Sequence, residues 1–484
     1  MAHSLSAGLL SPREKDSGPA AVPKKPALNI LAESRPAPGA ECFANTAGDP
    51  LTDAFSRKAA VHAGMDGTPL DKAAVPEMVQ RLQGTPRKGP AAAYVHLPYC
   101  ENKCLYCGFF GGKYSEDAGA AYLETLIREI ESERDRPSVA SAPINALYLG
   151  GGTPTALRPR ELTRLLRVLR SALPLANDCE ITVEGRVHNL DAEKMEACLE
   201  GGANRFSIGV QSFHTEIRRR LGRFSTGEEV RRRLEFLASY NQAAIIVDLI
   251  YGLPGQGLKE WEDDIRAFLS LPLDGVDLYQ LNIFSGSALA RSIRAGSLPE
   301  TASLAEQGRF FERGLALMEG ARCRRLSLSH WARTSRERNL YNPMAKRRTD
   351  CLHYGAGAGG SLQGWFMFND PNVEQYLRRC TGGEKPVAML AAPPDDLELT
   401  RSILGQLEHC RLNLDDLNAA LARTARDLPA ADDLFAPLLD NWEEAGLIAR
   451  DGPWVELTTA GQFWQVNLAQ ALIDWRRRVS KEMA

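Results

Sequence analysis

No run of apolar residues in the 484-residue sequence approaches the roughly 20 that a membrane-spanning helix requires. The opening MAHSLSAGLLSPREKDSG also lacks a continuous apolar stretch of signal-peptide length, so a cytoplasmic protein with no membrane partner is expected. Positive charge is not in surplus: 58 Lys and Arg stand against 61 Asp and Glu, a formal net charge of −3. No global field then draws a polyanion, and nucleic acid is not an expected partner. Cysteine is too sparse for a disulfide framework, at ten in the whole chain, so its grouping matters more than its number. Apolar residues, at 44%, are ample for a packed core, and the length exceeds what one core supports. A large catalytic domain with smaller modules is expected.

Residues 1–50 are rich in Ala, Pro, Gly and Ser without hydrophobic periodicity and read as a disordered tail. Residues 51–91 carry short helical patterns broken by Gly-Thr-Pro, an N-terminal helical extension. From Ala92 apolar strands alternate with amphipathic helices. The candidate strands are Tyr94 to Leu97, Ala146 to Leu149, Glu180 to Glu184, Arg205 to Val210, Ala244 to Ile250 and Val276 to Ile283. Helical patterns such as ELTRLLRVLRSAL separate them, so consecutive βα units build a parallel sheet. Six units suit an open α/β fold, a partial (β/α)6 barrel over residues 92–330, with its chemistry at the C-terminal strand ends. Residues 331–385 lead through a Gly-rich turn to a C-terminal cap over residues 386–484. The cap's last stretch, EEAGLIARDGPWVELTTAGQFW, reads as helix, two strands and helix in the manner of a winged helix. It carries too little positive charge to favour DNA, so a structural lid is expected.

The segment YVHLPYCENKCLYCGFF sets Cys100, Cys104 and Cys107 in a CxxxCxxC loop directly after the first strand. Thiolates are soft ligands for iron, and such short spacers let one loop reach three corners of a cubane. The fourth iron then has no protein ligand and is open to a small chelating molecule. A structural zinc site with His96 as fourth ligand is the alternative at this point, within a metal-stabilised binding module. The other seven cysteines are scattered singly, which suits small buried hydrophobes.

CxxxCxxC after a strand resembles the signature of radical S-adenosylmethionine (SAM) enzymes. From about Tyr94 onward the sequence is similar to the branch that contains oxygen-independent coproporphyrinogen III oxidase. Four further segments repeat that branch's pattern: LYLGGGTPT, ITVEG, FSIGVQSF followed by LGR, and IIVDLIYGLPGQ. The resemblance implies a 4Fe-4S cluster on the three cysteines and SAM bound by Tyr94, Gly151, Gly152, Thr153, Glu184, Gln211, Arg223 and Asp248. Glycines after a strand also permit close backbone approach, with N–H groups available to a ligand.

Within the branch, Phe109 stands where the coproporphyrinogen oxidases carry a fourth cysteine, and Arg338 precedes Asn339 where the haem chaperones carry histidine. The segments CGFFGGKY, SHWARTSRERNLYN and CLHYGAGAGGSL instead resemble the haem anaerobilin synthases of anaerobic haem utilisation. That resemblance implies a methyltransferase using two SAM molecules. A 5′-deoxyadenosyl radical from one takes hydrogen from the methyl of the other; the methylene radical adds to haem and the ring opens to a methylated linear tetrapyrrole with free iron. It also implies a flavodoxin- or ferredoxin-type electron donor and a downstream tetrapyrrole reductase. Gly357 and Ala358 in GAGAGG are candidates to line the second SAM or the tetrapyrrole, unless the glycines make only a tight turn. His330 could ligate haem iron and Arg333, Arg336 and Arg338 could pair with propionates, or these residues could form core and solvated surface.

Overall fold

A computed structural model describes residues 40–484 apart from 61, 65, 66, 285, 425–427 and 484. Six parallel strands form the centre of the sheet in sequence order: β1 (Ala91–Leu97), β2 (Ile144–Gly151), β3 (Leu175–Gly185), β4 (Arg205–Gln211), β5 (Ala244–Tyr251) and β6 (Gly275–Gln280). The helices α1 (Glu116–Glu133), α2 (Pro159–Ala172), α3 (Ala192–Glu200), α4 (Gly227–Ser239) and α5 (Leu258–Ser270) make the crossovers, and α6 (Leu304–Gly320) follows β6. Local chemistry fixes their ends and faces. In α2, Leu162, Leu165, Leu166 and Leu169 recur at helical spacing and are wholly buried, while Glu161 accepts from the Arg158 N–H at 2.9 Å to close the first turn. Thr226 and Glu229 cap α4 in the same way.

The sheet continues past both ends of this barrel. Short β7 (His330–Ala332) joins β6 antiparallel, and β8 (Cys351–Tyr354) joins the free edge of β1 in parallel. Antiparallel β9 (Gly359–Leu362), β10 (Trp365–Asn369) and β11 (Val387–Ala392) then extend it to thirteen strands, with Thr68–Pro69 outermost at this edge and Arg324–Arg325 beyond β7 at the other. Residues 331–385, read from sequence as a connecting stretch with a turn, therefore supply sheet. The strands are only three to five residues long and pair with segments far away in the chain, so local text gives little sign of them.

The cap begins at α7 (Leu397–Leu407) and runs through β12 (Arg411–Asn413), α8 (Leu414–Thr424), α9 (Ala431–Glu444), β13 (Ile448–Asp451) and β14 (Trp454–Leu457), closing with α10 (Gln465–Met483). This is the order of a winged helix. The exposed residues of α9 include Asp432, Asp433, Asp440, Glu443 and Glu444, which would repel a phosphate backbone. Residues 40–50 depart from the expected tail. Cys42, Ala44, Leu51, Ala54 and Phe55 enter the cap's core, and the indoles of Trp442 and Trp464 donate to the carbonyls of Cys42 and Leu51 at 3.0 and 3.1 Å. Apolar residues spaced widely through Ala, Gly and Pro escape a periodicity test yet still fill a core. The tail expected over residues 1–39 lies outside the described residues. No described helix is long and apolar enough to cross a membrane.

Candidate active site

Each barrel strand shows two faces. Val95, Leu147, Leu149, Val183, Ile208, Val247 and Val276 point outward into the core beneath the helices. The alternate residues point into the barrel, and apart from Ile246 of β5 most of them are polar or small: Tyr94 and His96, Tyr148 and Gly150, Thr182 and Glu184, Ser207 and Gly209, Asp248, Asp277. A period of two thus separates stability from chemistry along the same strand.

The cysteine loop leaves the C-terminal end of β1. Its base is pinned by a short parallel pairing of Tyr99–Cys100 with Gly112–Lys113, and by the Gly111 N–H donating to the Pro98 carbonyl at 2.7 Å. Leu105 N donates to Leu221 O at 3.2 Å and the Asn102 amide to Gly222 O at 2.8 Å, anchoring the loop across the barrel mouth. Cys100 and Cys104 are buried and Cys107 is half-buried. Donors surround the sulfurs: the Thr153 hydroxyl lies 3.2 Å from Cys100 Sγ, Arg186 Nη2 lies 3.4 Å from the same atom, and the Phe109 N–H lies 3.3 Å from Cys107 Sγ. Burial, helped by neighbouring Cys104, raises the Cys100 thiol, while Thr153 and Arg186 act in the opposite sense. Hydrogen bonds of this kind stabilise charge on a ligating sulfur.

Four strand ends complete the mouth. At the end of β2, Gly151 adopts φ +107° and a Cβ there would strike the His96 ring; a Cβ on Gly152 would stand 2.5 Å from the Tyr99 carbonyl oxygen. The Gly152 and Thr153 N–H groups donate to Leu97 O and Tyr99 O at 2.7 and 2.9 Å, and the Gly151 N–H to Glu184 Oε2 at 3.1 Å. These three N–H groups are spent on holding the cysteine loop and Glu184, which corrects the expectation that they would face a ligand. Glu184 also accepts from the Tyr148 hydroxyl at 2.7 Å, and burial pushes its carboxyl up to about 7. Gln211 ends β4 at φ +71°, a left-handed backbone rare outside glycine, and its buried Oε1 has no hydrogen-bond partner. Arg223 donates to Gly209 O at 2.5 Å and to the Tyr106 hydroxyl at 2.9 Å, leaving Nε buried and unpaired. Asp248 accepts from Ser207 at 3.2 Å; burial and neighbouring Asp277 push it up to about 6. Tyr94 lies deeper. Its hydroxyl meets His96 Nδ1 at 2.9 Å, and with Tyr148 and Tyr341 it forms an aromatic stack inside the barrel, Tyr148 and Tyr341 being 4.5 Å apart.

The radical SAM superfamily profile matches residues 94–268, the span from β1 through α5. Anaerobilin synthase from Escherichia coli O157:H7 is 41% identical over 397 residues, covering 82% of this chain and 86% of that protein. The chain belongs to the radical SAM superfamily, in the anaerobilin synthase family. A haem chaperone from Escherichia coli K12 is 30% identical over 277 residues, 56% of this chain and 70% of that protein. Coproporphyrinogen III oxidase from Escherichia coli, itself described as a radical SAM enzyme, shares the fold: TM-score 0.69 at 21% identity, covering 86% of this chain and 96% of that one. As a radical SAM enzyme the protein uses a 4Fe-4S cluster and SAM. The site fits both. Three thiols with cationic and hydroxyl donors around them suit a cluster, and the orphaned Gln211 Oε1 and Arg223 Nε are polar atoms waiting for a ligand's donor and acceptor. His96, the fourth ligand of the zinc alternative, is instead turned towards Tyr94 and Gly151.

The glycine-rich turn follows β8 and, because β8 runs parallel to β1, it stands at the same barrel end as the cysteines. Gly357 has φ +76° and donates to Asp370 O at 3.0 Å, while buried Ala358 donates to Gly355 O at 3.2 Å. The four residues expected to meet haem lie elsewhere. His330 is wholly buried between Asp277 Oδ2, 2.7 Å from Nδ1 as an ion pair, and Glu337 Oε1, 2.8 Å from Nε2. Both nitrogens are engaged, so this ring has none to offer iron. Arg333 donates to the carbonyls of Leu271 and Phe268, Arg336 pairs with Asp274 at 2.9 Å, and Arg338 pairs with Asp178 at 3.4 Å. Asp274 precedes β6 and Asp178 sits early in β3, so all three arginines serve the N-terminal face, opposite the cysteine loop. Arg186 and Tyr148 were missed in the sequence. Arg186 was findable, since it lies two residues past Glu184 in the strand's inward register.

Proposed function

We propose that the protein is an anaerobic, haem-degrading radical SAM methyltransferase that opens the porphyrin ring to a methylated linear tetrapyrrole and releases iron. The observation that carries this reading is the 41% identity to an anaerobilin synthase across most of both chains, including residues outside the superfamily profile. Cys100, Cys104 and Cys107 would hold the cluster, with one iron left for the amino and carboxylate groups of SAM. Arg223 and Gln211 would bind that SAM through their unpaired atoms, with Glu184 and Asp248 accepting from its amino group or ribose. When bound, the cluster and SAM supply one-electron cleavage of a sulfonium and hence a hydrogen-abstracting radical.

The chain's own work is to orient and shield. Tyr94, Tyr148 and Tyr341 fill the barrel below the site and exclude water, so a reactive species meets bound substrate first. Gly357 and Ala358 would line the second SAM or the tetrapyrrole. An external flavodoxin- or ferredoxin-type protein would supply the electron, and a tetrapyrrole reductase would take the product onward. The test is anaerobic incubation of cluster-reconstituted protein with SAM, reductant and either haem or coproporphyrinogen III, followed by mass analysis. Loss of the haem Soret band with 5′-deoxyadenosine and a methylated tetrapyrrole is expected. Decarboxylation of coproporphyrinogen, or haem bound and returned intact while SAM is cleaved, would refute it. Cys104→Ala should lose both cluster absorbance and deoxyadenosine.

A further inference from the structure

The glycine-rich turn is fastened to the barrel through its first two N–H groups. Gly355 N donates to Glu129 Oε2 and Ala356 N to the Tyr122 hydroxyl, each at 2.8 Å, both acceptors lying on α1. The same Tyr122 hydroxyl donates to His96 O at 2.8 Å, at the end of the strand that runs into the cysteine loop. Gly355 lies so close to that carbonyl that a Cβ would stand 2.4 Å from it, and its φ is +98°. Tyr122 is therefore a single atom bridge between the two loops. Behind it, Glu129 accepts three further bonds: from the Tyr376 hydroxyl at 2.7 Å, Lys385 Nζ at 2.9 Å and the Asn369 amide at 3.3 Å. Lys385 also reaches Glu133 at 2.9 Å and His353 O at 2.7 Å. A buried carboxylate with four donors has one orientation, and a hydroxyl that gives to one strand and receives from another sets the distance between them.

We propose that Tyr122, braced by Glu129 and Lys385, is a positioning residue that sets the spacing between the cysteine loop and the glycine-rich turn, and so between the radical source and the molecule the turn receives. This rests on the reading of the turn as lining for the second SAM or the tetrapyrrole. Hydrogen transfer needs its partners in contact, and a displacement of about 1 Å is enough to forfeit most of the rate. Loosening the bridge would leave SAM cleavage intact while the radical takes hydrogen from reductant or buffer instead of substrate.

The test is Tyr122→Phe in the full-length, cluster-reconstituted protein. It keeps the ring contacts with Tyr99 and Tyr376, at 5.6 and 5.4 Å between centroids, and removes both hydrogen bonds. Deoxyadenosine should form at close to the wild-type rate, while tetrapyrrole product per deoxyadenosine falls at least about fivefold, the factor that losing one of the two hydrogen bonds would give alone. An unchanged ratio overturns the proposal, and so does an equal fall in both products. Glu129→Gln should shift the ratio in the same direction, and it is read in place of Tyr122→Phe if that variant does not load a cluster. Wild-type protein that cleaves SAM but leaves haem intact would overturn the functional reading itself. An active wild type with no change in either variant would overturn the positioning role alone.

Discussion

Desolvation holds the Glu184 carboxyl up to about 7, against hydrogen bonds from Tyr148 and Gly151 that favour the anion. A carboxyl that accepts from the amino group or ribose hydroxyls of SAM must first release its proton. SAM affinity should therefore be full above about pH 7 and weaken as pH falls through that value, approaching tenfold per unit. Equilibrium SAM binding to reconstituted protein, measured across this range, checks the sign. Glu184→Gln should bind more weakly at high pH and show a flat profile; a wild-type affinity that is flat, or that improves with acid, would remove Glu184 from the binding set. Asp248, pushed up to about 6 by burial and by Asp277, would add a shallower dependence lower in the range.

At the scale of the element, the turn after β2 concentrates what glycine can do. Gly152 has no room for a Cβ, which would sit 2.5 Å from Tyr99 O and 2.8 Å from Leu97 O, and its N–H fixes the root of the cysteine loop. Gly152→Ala should push β1 and β2 apart at the barrel mouth. Iron content and deoxyadenosine formation should then fall several-fold while far-UV circular dichroism is retained, because the outward leucines and valines of both strands are untouched. Full iron loading with normal SAM cleavage would show the contact to be slack. The six strands were legible in the sequence because their outward faces carry branched apolar residues at a period of two. The inward Glu184, Gln211 and Asp248 stood out against that pattern, and in the structure Asp248 lies near enough to Glu184 for its charge to raise that carboxyl. β8 to β11 were not legible, since β8 pairs with β1 some way back along the chain and its neighbours are broken by glycine. Arg333, Arg336 and Arg338 misled for a related reason. Their partners, Asp274, Asp178 and two helix-end carbonyls, come from elements distant in sequence, so they looked free to meet a carboxylated ligand.

Across the whole molecule, the N-terminal end of the barrel is closed by a chain of paired charges. Arg205 of β4 meets Glu337 at 3.0 Å, Glu337 meets His330 of β7 at 2.8 Å, and His330 meets Asp277 of β6 at 2.7 Å, all of them buried. The segment after β7 is thereby bound to the inside of the barrel, and β4, β6 and β7 share one electrostatic unit. Burial opposes a charged His330, yet Asp277 and Glu337 outweigh it and raise the ring to about 9. An unfolded histidine titrates near 6.5, so the folded protein binds an extra proton between about 6.5 and 9. The stabilisation is complete below the lower value and is lost as pH rises through the upper one, and it amounts to about 3 kcal/mol. Thermal unfolding followed by circular dichroism should show wild-type stability declining over this alkaline window. His330→Gln should start lower and decline less. Glu337→Gln strips Arg205 of its buried ion-pair partner and leaves His330 with Asp277 alone, and should cost about 3–5 kcal/mol, with the larger deficit below the His330 pKa where both cations persist. Parallel curves for wild type and His330→Gln would mean that the ring is neutral in the folded barrel, and the floor would then be held by Arg205 and Glu337 alone.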